Sequence, residues 1–176
     1  MTAERYRVVP AAYVLLLREQ HSGAAATGTL EVLLQHRQQT GFMDGYWAAG
    51  AAGHVEAGES VHAAAVREAR EELGIEVRPA DLLPLTTMHR SQGTGEWIDE
   101  RVDFFFTARH WRGQPRPVET KAADLRWVSL ADLDSLDGPV VPHERAVLDG
   151  LRSGDLPAIT SIGLPGALLT TAPSPA

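Results

Sequence analysis

Two short apolar runs near the start of the chain predict a pair of strands. They span residues 12–17 and 30–36, and a stretch rich in Gly, Ser and Thr separates them. Apolar runs of this length between turn-forming residues are typical of buried strands. We therefore expect the two runs to pair as a hairpin.

The first apolar run also shares features with a secretory signal. Arg5 and Arg7 precede it, and the small residues 24–26 follow it. Glu4, however, lies in what would be the basic region of such a signal. Cleavage after Ala26 would also remove one strand of the expected hairpin. The strand interpretation is therefore favoured.

The clearest helix lies between Ser60 and Gly74. Its apolar residues recur every four positions, at Val61, Ala65, Ala69 and Leu73. Serine is a favoured N-cap residue, and glycine is favoured just past the end of a helix, so these two residues set the predicted boundaries. Consecutive alanines at residues 63–65 would let this helix pack closely against a sheet.

Further apolar runs predict strands at residues 75–77, 82–87, 101–107 and 125–128, a short helix at 129–136 and a last helix from about residue 143 to 152. Strands and helices are mixed rather than regularly alternating. The order therefore favours an α/β or α+β sandwich with a mixed sheet over a doubly wound sheet. We expect one domain over residues 1–160 and a flexible C-terminal tail at 161–176, because Pro, Ala, Thr and Ser dominate the end of the chain.

The composition excludes several classes of protein. The chain of 176 residues has no cysteine, which rules out disulfide scaffolds, thiolate zinc sites and cysteine nucleophiles. No apolar run approaches the roughly 20 residues that span a bilayer, so we expect a cytoplasmic protein without a membrane partner. The formal charge of −7 has the wrong sign for general binding to a nucleic-acid polymer. The acidic residues therefore either form a solvated surface or bind cations.

Three glutamates cluster on the predicted helix. Glu68, Glu71 and Glu72 are spaced at i, i+3 and i+4, which places their carboxylates on one helix face. Such a triplet, taken alone, is more often a solvated surface than a site. Carboxylate oxygens are also the ligands that hard divalent cations prefer. The residues around the triplet decide between these interpretations.

The triplet lies inside a longer pattern, Gly53-x5-Glu59-x7-Arg67-Glu68-Ala69-x-Glu71-Glu72-x-Gly74-Ile75. This pattern resembles the Nudix box at every specified position, so the sequence is identified as a member of the Nudix hydrolase superfamily. The resemblance implies the Nudix fold, an α/β/α sandwich with a central mixed sheet and a loop-helix-loop. Residues 53–76 contain six glutamates and two arginines, so −4 of the formal −7 lies in this segment.

The resemblance implies a metal site. Glu68, Glu71 and Glu72 match the family's ligands for Mg²⁺ or Mn²⁺, and one carboxylate would also orient or deprotonate the attacking water. The backbone carbonyl of Gly53 matches a further ligand. In MutT-type members an acid upstream of a later tryptophan joins the site, and Glu119 is the closest match. Competing acids precede it at Glu96, Asp99 and Glu100.

Two other parts of the pattern concern the loop before the helix. Arg67 and Glu59 match a pair that connects loop to helix in the family, and the alternative is an ordinary surface ion pair. Residues 47–53, Trp-Ala-Ala-Gly-Ala-Ala-Gly, depart from the Leu-Pro that precedes the box in many MutT-like sequences. The later segments 111–115 and 125–130 again resemble MutT-type enzymes.

Residues outside the box are candidates for contacts with the substrate. Arg37 ends the second predicted strand, and Trp47 follows a glycine-rich turn from which it could stack on a base. His89 and Arg90 precede a Ser-Gln-Gly-Thr-Gly loop that could act as a lid or bind phosphate. Asp124 precedes a predicted strand and could accept a hydrogen bond from a base. The structural alternatives are surface charge for Arg37 and Asp124 and core packing for Trp47.

The resemblance implies hydrolysis of a nucleoside diphosphate linked to another group X, by attack of water on phosphorus. MutT-like members act on nucleoside triphosphates or related nucleotides and release a nucleoside monophosphate. The alternative is a Nudix domain that senses a nucleotide without cleaving it, although such domains usually lose box glutamates. The isopentenyl diphosphate isomerase branch uses a catalytic cysteine, which this chain lacks. We expect a small-molecule nucleotide as substrate and a monomer or homodimer.

Overall fold

The computed structural model describes residues 5–20, 28–120 and 122–166. In these ranges the chain forms eight strands and two α-helices. The strands are β1 (Val9–Gln20), β2 (Thr29–Arg37), β3 (Trp47–Ala49), β4 (Ala51–His54), β5 (Leu83–Ser91), β6 (Glu100–Ala108), β7 (Ala122–Ser129) and β8 (Ile159–Ile162). The helices are α1 (Val61–Leu73) and α2 (Pro142–Ser153), with short 3-10 helices at Pro79–Asp81, Trp97–Asp99 and Leu133–Ser135.

The described strands join in one mixed sheet. Its main order is β3-β2-β1-β6-β5-β8, with β4 added beside β1 and β7 beside β2. The pairs β1–β6 and β5–β8 are parallel, and the other pairs are antiparallel. This arrangement confirms the predicted mixed sheet and the predicted pairing of the first two strands.

The strand β1 has two successive partners along one edge. Residues 11–14 pair with β4, and residues 17–20 pair with β2. The strands β2 and β4 therefore separate from one another where they leave this edge. The gap between them is the place where side chains from both strands and from the neighbouring helix can meet.

Apolar residues cover both faces of the sheet. Val147 of α2 packs in one buried cluster with Tyr13, and Ala65 of α1 packs in a second cluster with Val14. Tyr13 and Val14 are adjacent in β1, so they point to opposite faces of the sheet. One helix therefore packs on each face, which confirms the predicted α/β/α sandwich.

The helix α1 forms where the sequence predicts it. The Ser60 hydroxyl accepts a hydrogen bond from the Ala63 N–H at 3.1 Å, and the helix ends at Gly74, whose φ of 66° is left-handed and favours glycine. The small residues that face the sheet are fully buried, at Ala64, Ala65 and Ala69. This close packing brings the glutamates of α1 up to the sheet.

Two predicted elements need correction. Residues 75–77 are not a strand, because Glu76 makes only an isolated bridge with Arg112. Residues 129–136 form only the 3-10 turn Leu133–Ser135 instead of a longer helix. Ile75 and Leu133 are nevertheless buried. The apolar pattern in these segments reports burial, and burial alone requires neither a ladder nor an α-helix.

The end of the chain contains a strand that the pattern does not predict. β8 pairs with β5 and crosses the expected boundary at residue 160. Its length of four residues, of which Thr160 and Ile162 are buried, is too short for a clear alternation. The division into domain and tail stays a prediction, since residues 167–176 lie outside the described ranges.

The segment that shares features with a secretory signal is central to the fold. Residues 9–17 belong to β1, which pairs with β6 on one side and with β2 and β4 on the other. The small residues 24–26 lie outside the described part of the chain. Among the residues that the structure describes, no helix combines the length and apolarity needed to cross a membrane.

Candidate functional site

A cleft of about 540 Å³ opens beside β1, where β2 and β4 separate. Glu68, Glu72 and Gly53, from α1 and β4, line one part of it, which we call the glutamate end. Arg90 of β5 and Arg101 of β6 line another part, which we call the arginine end. Acidic and basic side chains are thus separated along a single cleft.

Glu72 connects α1 to both strands that border the gap. Its Oε2 accepts hydrogen bonds from the Ala52 N–H of β4 at 3.0 Å and from Gln35 Nε2 of β2 at 3.3 Å. Burial raises the pKa of Glu72 to about 7, and the charges of Glu68 and Glu119 act in the same direction against the two hydrogen bonds. Glu72 is therefore a desolvated carboxyl group surrounded by other acids.

Gly53 makes room for the carboxylate of Glu68. A Cβ atom added at Gly53 would lie 1.9 Å from Glu68 Oε1 and 2.6 Å from Oε2. Such distances are far inside van der Waals contact, so any other residue would displace the carboxylate. The glycine at the start of the box is thus required by the position of a glutamate on the facing helix turn.

Arg67 holds the loop before α1 against the helix. Its Nε and Nη2 each donate to a carboxylate oxygen of Glu59 at 3.0 Å, and Nη2 also donates to the His54 carbonyl at 2.9 Å. Its Nη1 donates to Glu68 at 2.6 Å and to Glu71 at 3.1 Å. These carboxylates raise the pKa of Arg67 above its ordinary value, and the Arg67 hydrogen bond lowers the pKa of Glu59. One guanidinium thus fixes both the loop and two box glutamates.

The donor set of the glutamate end suits a hard divalent cation, because it consists of carboxylate oxygens beside a glycine carbonyl. In their present side-chain positions, no three Asp, Glu or His groups of the described residues converge closely enough to hold a metal ion. In this arrangement Glu68 and Glu71 both accept hydrogen bonds from Arg67. The Glu71 side chain is 42% exposed, so a change of rotamer towards a cation would exchange its hydrogen bond to Arg67 for a bond to the metal.

Glu119 lies close to the glutamate end. Its charge is one cause of the raised pKa of Glu72, and its Oε2 is buried. Asp99, one of the competing acids, lines the cleft from the 3-10 helix before β6. Glu96 and Glu100 are not among the described residues that line the cleft. Proximity to Glu72 therefore favours Glu119 over the other three acids.

Two of the predicted substrate contacts have structural roles. Arg37 lines the cleft, but its guanidinium donates to the Phe42 carbonyl at 3.0 Å and to the Thr40 hydroxyl at 3.1 Å. It therefore shapes the loop that borders the cleft. Trp47 is only 1% exposed, and its indole N–H donates to Asp137 at 3.2 Å. A base could stack on this ring only if the core opened, so the core interpretation fits Trp47.

The other two predicted contacts lie outside the cleft walls. His89 precedes Arg90 in β5 and points to the opposite side of the sheet, where its Nε2 lies 3.4 Å from the Tyr6 hydroxyl. Asp124 is exposed at the start of β7 and pairs with Arg126 at 3.0 Å. Neither is among the described residues that line the cleft. Their role in substrate binding stays a prediction without support from the cleft geometry.

Sequence reasoning does not single out three polar residues of the site. Gln35 holds Glu72, Glu144 lines the cleft from the first turn of α2, and Asp103 is fully buried in β6. Glu144 accepts a hydrogen bond from the Ala49 N–H, and burial raises its pKa to about 7. The available signal is a polar or charged residue at an inward position of a strand or on the apolar face of a helix.

Comparison with known proteins gives one family. The family model described as NUDIX domain matches residues 8–151. The chain is 32% identical over 110 residues to the uncharacterized Nudix hydrolase YvcI of Bacillus subtilis. The aligned residues make up 62% of this chain and 66% of that protein. It is 35% identical over 97 residues to the NAD-capped RNA hydrolase NudC of Pseudomonas aeruginosa. Here the aligned residues make up 54% of this chain and 30% of that protein. The chain thus spans about two thirds of the first relative and under a third of the second.

The fold is also similar to that of solved structures. One is the MutT NUDIX hydrolase of Burkholderia pseudomallei, with a TM-score of 0.66, 24% identity, and coverage of 81% of this chain and 97% of that chain. At this identity the likeness supports the fold alone. The family model, in contrast, covers both the box and the strands that border the cleft. The chain belongs to the Nudix domain family.

Proposed function

We propose that the protein is a metal-dependent Nudix hydrolase that cleaves a nucleoside diphosphate linked to a further group X. Water attacks phosphorus, a phosphoanhydride bond breaks, and a nucleoside monophosphate and a second phosphate compound are released. The proposed substrates are nucleoside triphosphates or related nucleotides, as in MutT-like enzymes. The observation that carries the proposal is Glu72, a desolvated carboxyl group with a pKa of about 7 that is fixed beside Glu68 in the cleft.

Glu72 and the charged residues beside it on α1 have distinct tasks in this proposal. Within the described chain, Oε2 accepts both hydrogen bonds that fix Glu72. Its Oε1 is therefore the oxygen that would bind a cation or accept a proton from water. Glu68 and Glu71 supply further carboxylate oxygens, and Arg67 keeps them aligned with the loop. When bound, Mg²⁺ or Mn²⁺ would neutralise charge on the phosphate oxygens and lower the pKa of the attacking water.

The test is a substrate panel with analysis of products. The panel contains nucleoside triphosphates, ADP-ribose, sugar nucleotides, dinucleoside polyphosphates and, because one relative is named as an NAD-capped RNA hydrolase, an NAD-capped RNA. Each is incubated with Mg²⁺, with Mn²⁺ or with EDTA. We expect release of a nucleoside monophosphate from part of the panel with metal and none with EDTA. Tight nucleotide binding without turnover would contradict hydrolysis and support the sensing alternative.

A further inference from the structure

We infer that Arg90 and Arg101 bind an additional phosphate group of the substrate, on the part of the nucleotide that lies away from the bond being cut. This inference rests on the proposed function, because it assigns the other end of the same cleft. Among the proposed substrates, it favours nucleotides that carry a further terminal phosphate in addition to the diphosphate that is cut.

Adjacent strands place the two arginines side by side. Arg90 and Arg101 are direct cross-strand partners, so their side chains leave the same face of the sheet. From Gly53 the pairing runs through Ala12 of β1 to Phe104 of β6, which is two strand spacings, or roughly 10 Å. Arg101 lies three residues from Phe104 along β6, roughly 10 Å in the perpendicular direction, so the Cα atoms of Gly53 and Arg101 are roughly 14 Å apart.

This separation exceeds what one diphosphate can span. The two phosphorus atoms of a diphosphate share a bridging oxygen, so they lie much closer together than the two ends of the cleft. A diphosphate at the glutamate end therefore leaves the arginine end unfilled. An anion bound there has to belong to another part of the substrate.

A single carboxylate serves both arginines. Asp103 is fully buried, and its Oδ2 accepts a hydrogen bond from Arg90 Nε, whereas its Oδ1 lies 3.9 Å from Arg101 Nε. The longer distance is outside the range of a hydrogen bond. Within the described residues, Arg101 Nε and Asp103 Oδ1 are both buried without a hydrogen-bond partner. The three side chains thus carry one excess positive charge and an unused buried donor, which is costly without a ligand.

The ring side chains that line the cleft supply no negative charge to the arginine end. They are His54, His143 and Tyr13. A histidine side chain is neutral or cationic, and burial with the charges of Arg90 and Arg101 lowers the pKa of His143. Tyr13 keeps its proton because burial raises its pKa.

Besides Glu68 and Glu72, two further acids line the cleft, and both have other hydrogen-bond partners. Glu144 accepts the Ala49 N–H, and burial raises its pKa to about 7. Asp99 accepts the Thr94 hydroxyl at 2.5 Å. Neither has a hydrogen bond or ion pair with Arg101 in the described chain. The excess charge of the arginine end is therefore left for a ligand.

The number of donors points to a phosphomonoester. The planar N–H fork of one arginine matches the two oxygens of a carboxylate. A terminal phosphate has three free oxygens and a charge of about −1.5 to −2 at pH 7, so it can accept from Arg90 and Arg101 together. A phosphomonoester thus offers the two guanidiniums more acceptors and more negative charge than a carboxylate does.

The test compares matched substrates that differ by one phosphate. ADP-ribose and its 2′- and 3′-phosphorylated derivatives are hydrolysed with Mg²⁺, and the ratio of kcat/KM between a phosphorylated and the unphosphorylated compound is measured. We expect the wild-type protein to prefer one phosphorylated compound at least tenfold, and Arg101→Gln to reduce this ratio at least tenfold. Arg112→Gln, an exposed arginine on a loop, is the matched control and should keep the ratio. A wild-type ratio near one, or an unchanged ratio in Arg101→Gln, overturns the inference.

A binding measurement separates this inference from the proposed function. Inorganic phosphate is titrated calorimetrically into the protein in EDTA, where no metal takes part. We expect binding to wild type and to Arg112→Gln, and at least tenfold weaker binding to Arg101→Gln. If no substrate is hydrolysed, the proposed function fails, and absence of phosphate binding would overturn the anion site separately. If Arg101→Gln does not fold, Arg101→Lys, which keeps the charge and loses the fork, should weaken phosphate binding at least threefold, and unchanged binding counts against the inference.

Discussion

The glutamate end and the arginine end differ in how charge is balanced. At the glutamate end, burial raises the pKa of Glu72 to about 7 beside Glu68 and Glu119, and no cation bonds Glu72 in the described chain. At the arginine end, the buried carboxylate of Asp103 accepts a hydrogen bond from Arg90 and lies 3.9 Å from Arg101. An acid is thus in excess at one end and a cation at the other.

The difference indicates a division of labour along the cleft. An excess of carboxylate oxygens suits a divalent cation, which the hydrolysis of a phosphoanhydride requires in the proposed mechanism. An excess of guanidinium suits an anionic part of the substrate that does not react. Chemistry and selectivity would then reside on different elements, α1 with β4 for the first and β5 with β6 for the second.

The largest expected effect is a loss of activity when the glutamate end is changed. Glu72→Gln keeps an oxygen that can accept from Ala52 and Gln35, so the fold should persist. The change removes the charge that the proposed metal needs, and kcat/KM should fall by about 100- to 1000-fold on any hydrolysed substrate. Steady-state kinetics measure this loss, with the exposed Glu76→Gln as the matched control. More than half of the wild-type activity in Glu72→Gln would remove Glu72 from the mechanism.

The next effect concerns stability and differs between the two ends. Asp103→Asn leaves Arg90 buried without its carboxylate, which should lower the free energy of unfolding by about 3 kcal/mol. Glu72→Gln removes a desolvated acid, so in EDTA its free energy of unfolding should equal or exceed that of wild type. Urea denaturation at pH 8 measures both variants, and the exposed Asp155→Asn should change stability by less than about 0.5 kcal/mol. A loss of stability in Glu72→Gln as large as that in Asp103→Asn would break the comparison.

A smaller effect concerns Glu144. Burial raises its pKa to about 7, as it does for Glu72. A carboxyl group whose pKa is higher in the folded state stabilises the fold most below its unfolded pKa, and this contribution is lost as the pH rises through about 7. The unfolding free energy of wild type minus that of Glu144→Gln should therefore fall by about 2 kcal/mol from pH 5 to pH 8. Denaturation across this range measures the difference. A difference that does not vary with pH contradicts the burial of an ionisable Glu144.

The sequence predicts the glutamate end because its signals are local. The cap at Ser60, the four-residue apolar spacing and the box glutamates lie within one continuous segment, so their geometry follows from helix periodicity. The hairpin is predictable for the same reason, since each of its two strands is a separate apolar run, whereas the short strand β8 is not. Contiguous signals thus define both the main elements of the fold and the residues of the box.

The sequence singles out Arg90, but the pairing that forms the arginine end could not be predicted in the same way. Arg90 and Arg101 belong to different strands and meet only through the register of β5 and β6. Trp47 shows a second limit, because a tryptophan after a glycine-rich turn has the same local pattern whether it packs in the core or faces a ligand. Only the packing of its ring, which is 1% exposed, distinguishes the two cases. Tertiary contacts determine the roles of these residues, and a local sequence pattern carries no information about such contacts.

The central claim is that the glutamate end binds the catalytic cation and the arginine end does not. Titration of Mn²⁺ into the protein, followed by the loss of the free-ion signal in electron paramagnetic resonance, tests it most directly. We predict that wild type and Arg101→Gln bind Mn²⁺ with similar affinity and that Glu72→Gln binds it at least about tenfold more weakly. Equal affinity in Glu72→Gln and wild type, or a loss in Arg101→Gln as large as that in Glu72→Gln, would contradict the account.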